Sequence, residues 1–258
     1  MKKTLLILLL LLLPVLSNAQ WGEKINKRIG DYTFVTDIDT NQYTVTLTIS
    51  KNNKPIFKEL FLDMVVNIEQ VQLEANGKKY IFIDFFSGGA HCCGSLLIGE
   101  FRSDRFVKVD SAFYGNSGYT LEDLNKDGVK EIISYNDMFA YAFTNYSETR
   151  FPIRIQKLKS DKIKEVTGDF EDVVLKEIRE FKADLDEITK QAIDCPTVDD
   201  EDTFNTDAGS VKTVLAAIVA DYYSIGKVEK GYELVNKVYQ CSDKNKFINI
   251  LKEDFKLK

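Results

Sequence analysis

Residues 123–133, DLNKDGVKEII, place oxygen-bearing side chains at alternate positions of one short segment. A hard cation such as calcium takes about six to eight oxygen ligands, and alternate side chains of a tight loop can converge on one point. Gly128 can adopt the positive φ that such a loop requires. The segment therefore predicts a cation site. Its predicted ligands are the side chains of Asp123, Asn125, Asp127 and Glu131 and the main-chain carbonyl of Val129.

The spacing of these ligands resembles a known calcium loop. An EF-hand needs a bidentate glutamate at its twelfth position, where this chain has Ser134, and it needs flanking helices. An acidic ligand at the ninth position between two predicted strands is instead similar to the loop of the integrin-like FG-GAP and VCBS repeats. That resemblance implies calcium as the cofactor, the ligands named above, and strands arranged as in propeller blades. The alternative to a calcium loop is that NKDG forms an ordinary hairpin turn with acidic residues on both sides.

The stretch GGAHCC contains the only histidine of the chain and two adjacent cysteines. Three interpretations are open: a catalytic thiol with His91 as its base, a zinc or copper site, and a disulfide or packed pair formed by Cys92 and Cys93. Zinc sites usually separate their cysteines by about two to four residues, which disfavours adjacent thiolates. Gly88 and Gly89 offer the unusual dihedral angles of a bent loop and favour the third interpretation. The stretch also resembles a signature of exported bacterial proteins with calcium-type β-repeats.

The N-terminal residues predict export. Lys2 and Lys3 precede an apolar run, and Ser17-Asn18-Ala19 offers small residues for cleavage after Ala19, so residues 1–19 are interpreted as a signal peptide. The apolar run is shorter than the roughly 20 residues that span a bilayer. We therefore expect a secreted or periplasmic protein with no stable membrane insertion after cleavage.

The four cysteines of an exported chain are expected to form disulfides. Four cysteines allow about three connectivities. One close pair and one distant pair favour a Cys195–Cys241 bridge, with Cys92 and Cys93 either bonded to each other or free.

The periodicity of the chain changes near residue 166. Residues 20–166 contain short alternating segments such as YTVTLTIS and FAYAF, separated by turn sequences, and predict an antiparallel β-meander domain. Residues 167–258 show helical spacing, with a long first helix ending at Cys195, and predict a small helical bundle. Ala216–Tyr239 resembles a tetratricopeptide hairpin, with Gly231 at the position of that family's alanine.

The fold class predicted from these patterns is α+β. A closed propeller needs at least about four blades of four strands, and about eleven strands are expected here, so the β-domain is predicted to be propeller-fragment-like or sandwich-like.

The composition and the candidate residues together narrow the classes of function that this protein could have. A net charge of −6 disfavours a nucleic-acid partner, because phosphate contacts need a basic surface. The leading hypothesis is an exported, non-enzymatic binding module with a calcium-stabilised β-domain and a protein or glycan ligand. The alternative is an extracytoplasmic enzyme, a hydrolase or thiol oxidoreductase, that uses His91 with Cys92 or Cys93. A third alternative is a pair of catalytic carboxylates, as in a glycosidase, because aspartate and glutamate are plentiful in the chain.

Overall fold

The computed structural model describes residues 23–74, 77–88, 92–195 and 204–258. Within these ranges the chain forms twelve β-strands, two short 3-10 turns and four α-helices. The strands come first and the helices follow, so the predicted α+β class is confirmed. The predicted signal peptide, residues 1–19, lies outside the described residues.

The strands form three antiparallel sheets, each a meander in which every strand pairs with the next one along the chain. The first sheet contains β1 (Asn26–Ile29), β2 (Tyr32–Asp39), β3 (Thr44–Lys51) and β4 (Lys54–Phe61). The second contains β5 (Met64–Gln72), β6 (Lys79–Phe86), β7 (Gly94–Arg102) and β8 (Arg105–Gly115). The third contains β9 (Thr120–Glu122), β10 (Glu131–Tyr135), β11 (Ile153–Lys159) and β12 (Lys162–Glu165).

A two-residue turn recurs at the last hairpin of each sheet. Both residues of each turn have positive φ, between 47° and 64°, as the mirror-image hairpin turn requires. Asparagine and aspartate tolerate this conformation better than most residues because their short side chains hydrogen-bond locally. The three turns are Asn52-Asn53, Ser103-Asp104 and Ser160-Asp161.

The second sheet lies between the other two and is buried on both faces. Ile81 and Ile83 belong to the core that it shares with the first sheet, whereas Tyr80 and Phe82 belong to the core that it shares with the third. This position explains why KYIFIDFF is almost continuously apolar, since a doubly covered strand has no solvent face. Three stacked meanders are closer to a propeller fragment than to a two-sheet sandwich.

The helices are α1 (Glu171–Ile188), α2 (Asp207–Ser224), α3 (Val228–Val238) and α4 (Lys244–Glu253). The first helix ends at Ile188, earlier than the predicted end at Cys195. The second helix is buried around most of its circumference, as expected for the central helix of a bundle.

The helices cover the outer face of the third sheet. Ile153 and Ile155 of β11 belong to the same hydrophobic core as the buried faces of α1 and α2. The division of the chain near residue 166 therefore crosses a shared core, and the proposed domain boundary stays a prediction.

The third helix crosses the second at very short range. A Cβ atom on Gly231 would lie 2.8 Å from the Cα atom of Val219, so glycine permits an approach that alanine would not. Kinship with tetratricopeptide hairpins stays a prediction.

The segment FAYAF, predicted as a strand, forms turns. Asp137–Phe139 is a short 3-10 turn, and Tyr141 has a φ of +57°, which an extended strand does not allow. Phe139 and Phe143 are buried in the core beside the helices, whereas Tyr141 is exposed. The predicted strand is therefore wrong, and of the three aromatic residues whose alternation predicted one buried face, only Phe139 and Phe143 are buried.

Candidate functional site

The predicted calcium loop connects β9 to β10 in the third sheet. Asp123 closes it: its Oδ1 accepts a hydrogen bond from the N–H of Asp127 at 3.0 Å, and its Oδ2 accepts one from Gly128 at 2.9 Å. Gly128 has a φ of +84°, the positive value that the sequence predicted there. One aspartate thus holds the chain in a tight turn through two main-chain donors.

The middle of the loop is organised by Asp127. Its Oδ1 accepts from the N–H of Val129 at 2.8 Å, and its Oδ2 accepts from the Asn125 amide at 3.0 Å. The N–H of Val129, the ammonium of Lys157 and the amide of Asn125 lower the pKa of Asp127 below its usual value. The aspartate is therefore ionised at neutral pH.

The loop is also attached to the segment that directly follows β5 of the second sheet. Val129 forms an isolated antiparallel bridge with Glu74, and the N–H of Lys130 donates to the carbonyl of Leu73 at 2.8 Å. The loop therefore lies where the second and third sheets meet.

Glu131, the last predicted ligand, is completely buried. Its Oε2 accepts a hydrogen bond from the N–H of Leu124 at 2.8 Å, and its Oε1 lies 2.6 Å from the ammonium nitrogen of Lys157. Burying a carboxylate costs free energy of folding unless a cation and hydrogen-bond donors replace the water that it loses. Lys157 and Leu124 supply both.

Lys157 was not predicted from the sequence as part of the site, although the pairing of β10 with β11 puts it next to Glu131. Ile132 of β10 lies opposite Gln156 of β11, and antiparallel pairing then sets Glu131 beside Lys157. The lysine nitrogen also lies 3.1 Å from Asp127 Oδ2. Burial lowers the pKa of Lys157, but the carboxylates of Glu131 and Asp127 outweigh it, so that pKa lies above its usual value.

The geometry leaves calcium binding untested. Across the described ranges, no three His, Cys, Asp or Glu side chains form a cluster that could hold a metal ion. The predicted ligands do lie in one loop, but their oxygens contact main-chain N–H groups, the Asn125 amide and the Lys157 ammonium. The calcium site therefore stays a prediction.

The GGAHCC stretch forms the connection between β6 and β7. Gly88 has a φ of +88°, while Gly89 and His91 lie outside the described residues. Cys92 and Cys93 are bonded to each other, and Ser87 anchors them by accepting a hydrogen bond from the N–H of Cys93 at 2.7 Å. In this state neither cysteine offers the thiolate that the enzymatic alternative needs.

Cys195 and Cys241 are also bonded to each other. Their Cα atoms are 5.3 Å apart, within the usual range for a disulfide. The bond joins the segment after α1 to the segment between α3 and α4.

A groove of about 1,100 Å³ lies between the third sheet and the helices. Large side chains exposed at its rim are Phe113, Tyr135, Met138 and Tyr223. Two carboxylates in the groove already have partners: Asp137 accepts from the side-chain amide of Asn116 at 2.9 Å, and Glu165 pairs with Arg154 at 2.8 Å. The groove was not predictable from the sequence, because its rim is assembled from three distant segments, around Phe113, residues 135–138 and Tyr223.

None of the helices in the described part of the chain is long and apolar enough to cross a membrane.

Comparisons with known proteins give distant relatives. Over 174 residues, 66% of this chain and 46% of the relative, the chain is 27% identical to the probable thylakoid lumen protein sll0997 of Synechocystis sp. (strain ATCC 27184 / PCC 6803 / Kazusa). Over 75 residues, 29% of this chain and 12% of the relative, it is 32% identical to the uncharacterized protein y4bJ of Sinorhizobium fredii (strain NBRC 101917 / NGR234). The chain thus spans less than half the length of either relative.

No family model matches the chain. No solved structure matches it significantly. The resemblance to FG-GAP and VCBS repeats therefore stays a prediction. A lumen lies outside the cytoplasm, so the first relative indicates an extracytoplasmic protein, in agreement with the export that the N-terminal residues predict.

Proposed function

We propose that this protein is an exported, non-enzymatic binding module whose third sheet is stabilised by calcium. One observation carries the proposal. Asp127 and Glu131 each use one carboxylate oxygen for a main-chain N–H and direct the other at a shared cation, the Lys157 ammonium. A loop that already gathers anionic oxygens around a positive charge has the chemistry that a hard cation requires.

The residues that would hold calcium are those of the loop between β9 and β10. A bound ion would supply two positive charges to a loop that is rich in carboxylates. Asp123 and Asp127 would contribute from the turn, and Glu131 from the start of β10, where it is fully buried. The bridge between Val129 and Glu74 would transmit the added stability to the second sheet. The proposed set is Asp123, Asn125, Asp127, the Val129 carbonyl and Glu131.

The groove between the third sheet and the helices is the proposed ligand-binding surface. Aromatic side chains combine a large apolar area with a polar tip and are enriched in binding sites. Tyr135 and Tyr223 provide such groups at the rim, and Arg154 and Glu165 provide charge in the groove. A protein segment or a glycan, both of which have apolar and polar faces, would suit this lining.

Thermal unfolding with and without calcium tests the proposed metal site. A ligand that binds only the native state adds about 2.7 kcal/mol at a hundredfold excess over its Kd, which raises the Tm of a chain of this size by about 5–10 °C. We expect this shift in the native protein and its loss in Asp127→Ala. Asp31→Ala, which alters an exposed aspartate in the β1–β2 turn, is the control and should keep the shift. A native melting curve that is identical in calcium and in chelator would contradict the proposal.

A further inference from the structure

Lys157 occupies a position between two carboxylates of the proposed calcium loop. Its ammonium nitrogen lies 2.6 Å from Glu131 Oε1 and 3.1 Å from Asp127 Oδ2. The other oxygen of each carboxylate is held by a main-chain N–H, from Leu124 and Val129 respectively. The two oxygens facing Lys157 are therefore not used for main-chain hydrogen bonds, although Asp127 Oδ2 also accepts one from the side-chain amide of Asn125.

We propose that Lys157 is a built-in competitor of calcium at this loop. The lysine pairs with both Glu131 and Asp127 in the metal-free protein and balances one of their two negative charges, and it must move away before a divalent ion can take both carboxylates. This inference rests on the calcium site of the proposed function and adds the residue that sets its affinity.

The two cations exclude each other on distance and charge. Calcium lies about 2.3–2.6 Å from its ligand oxygens, so an ion on Glu131 and Asp127 would need nearly the position of the lysine nitrogen. Two positive charges at such short range repel strongly inside a protein, where the effective dielectric constant is lower than in water. Binding of calcium therefore requires a new position for the ammonium.

The lysine is able to make this move. Its side chain is 12% exposed, and a flexible four-carbon stem allows the ammonium to swing away while the stem stays packed. In its present position the nitrogen also lies 5.4 Å from the centroid of the Phe170 ring, an aromatic face that stabilises a cation.

The arrangement has two consequences for the loop. The loop is preformed without metal, because the buried charge of Glu131 is already balanced. Calcium affinity is reduced, because each binding event must first break the contacts of Lys157 with two carboxylates. Weak sites, with Kd values of about 10⁻⁴–10⁻³ M, are typical of extracellular calcium modules, so the reduced affinity suits an exported protein.

Calorimetric titration of calcium chloride into three forms of the full chain tests the inference. Lys157→Met keeps most of the stem and removes the charge, and we expect it to bind calcium at least about tenfold more tightly than the native protein. Lys164→Met is the matched control: Lys164 lies opposite Lys157 in the sheet but is exposed, and its loss should leave the Kd unchanged. A second readout is the Tm, which in metal-free Lys157→Met should fall below the native value and should recover when calcium is added.

The outcomes separate this inference from the proposed function. Equal calcium affinity in the native protein and Lys157→Met would overturn the role of Lys157 and leave the calcium site standing. Binding by Lys157→Met alone would support the competition and contradict calcium binding by the native protein. If neither the native protein nor Lys157→Met binds calcium, the role of Lys157 and the proposed calcium site are both overturned. Lys157→Gln, which keeps a donor toward Glu131 without the charge, carries the same expectations if the methionine variant does not fold.

Discussion

At the scale of single residues, the fully buried Glu131 determines how the loop has to be built. A carboxylate without access to water needs a compensating charge and hydrogen bonds. Lys157 gives the charge and Leu124 gives a main-chain donor. The acidic residue that closes the predicted calcium motif is therefore also half of a buried ion pair.

Removing the charge of Glu131 should destabilise the metal-free protein. Glu131→Gln keeps an acceptor for the N–H of Leu124 but leaves the ammonium of Lys157 with Asp127 alone. We expect a loss of about 2–3 kcal/mol in the free energy of unfolding, below the usual cost of breaking a buried pair because one partner remains. Urea denaturation in chelator measures it.

The control for this substitution is Glu59→Gln, which removes a partly exposed pair with Lys108. Such pairs contribute less than about 1 kcal/mol. An equal loss of unfolding free energy in both variants would show that the burial of Glu131 does not increase the contribution of its ion pair to stability.

The candidate ligands of the loop were predictable because their geometry is local. Alternating oxygen-bearing residues and Gly128 define the turn within a single segment, and the structure places the carboxylates of Asp123 and Asp127 as acceptors for main-chain N–H groups there. Lys157 was not predictable in the same way, because its contact with Glu131 depends on the register of β10 against β11. Charge pairing across a sheet becomes visible only when that register is known.

At the scale of elements, the contact between α2 and the third sheet contains an unusual acid. Asp221 is fully buried, and its Oδ1 accepts a hydrogen bond from the N–H of Ile153 at 3.2 Å. Its Oδ2 has no hydrogen-bond partner among the described residues. Burial, followed by the nearby negative charge of Glu177, raises the pKa of Asp221 to about 8. The carboxyl group is therefore mostly protonated at neutral pH in the native state.

Asp221 should make the stability of the protein fall as the pH rises. Between 3.8, the ordinary pKa of an aspartate in an unfolded chain, and the native pKa of about 8, the native state binds a proton that the unfolded state has lost. This contribution to stability is full below the unfolded pKa and decreases by about 1.4 kcal/mol per pH unit until the native pKa is reached. Asp221→Asn should remove this slope between pH 5 and pH 8, measured by urea denaturation at a series of pH values.

The matched control is Asp186→Asn on α1, where the aspartate is exposed. It should keep the pH dependence of the native protein. Glu177, whose pKa burial also raises, is unchanged in both variants, so its own contribution cancels from the comparison. If Asp221→Asn shows the native slope, Asp221 is not protonated in the folded protein.

At the scale of the whole molecule, the chain is a stack of three meanders with helices on one side. The sequence predicted the hairpins, because alternation and turn residues are local signals. It did not predict their grouping into fours, because that grouping depends on which faces pack together. The recurring turns at Asn52-Asn53, Ser103-Asp104 and Ser160-Asp161 were the available sign of a threefold repeat.

The groove at the junction of the third sheet and the helices should bind the ligand of the module. Tyr223→Ala should weaken binding about tenfold or more in calorimetric titrations with a panel of soluble oligosaccharides and short peptides, since aromatic anchors dominate many interfaces. Tyr43→Ala is the control, because Tyr43 is similarly exposed but lies in the β2–β3 connection. Equal losses in the two variants would contradict the groove as the binding surface.

A crystal structure of the protein grown in millimolar calcium chloride is the most direct test of the central claim. The account predicts an ion in the loop between β9 and β10, about 2.3–2.6 Å from oxygens of Asp123, Asn125, Asp127, Val129 and Glu131. It also predicts that the Lys157 nitrogen no longer contacts both Glu131 and Asp127. A loop without an ion, in which Lys157 still bridges the two carboxylates at that calcium concentration, would contradict it.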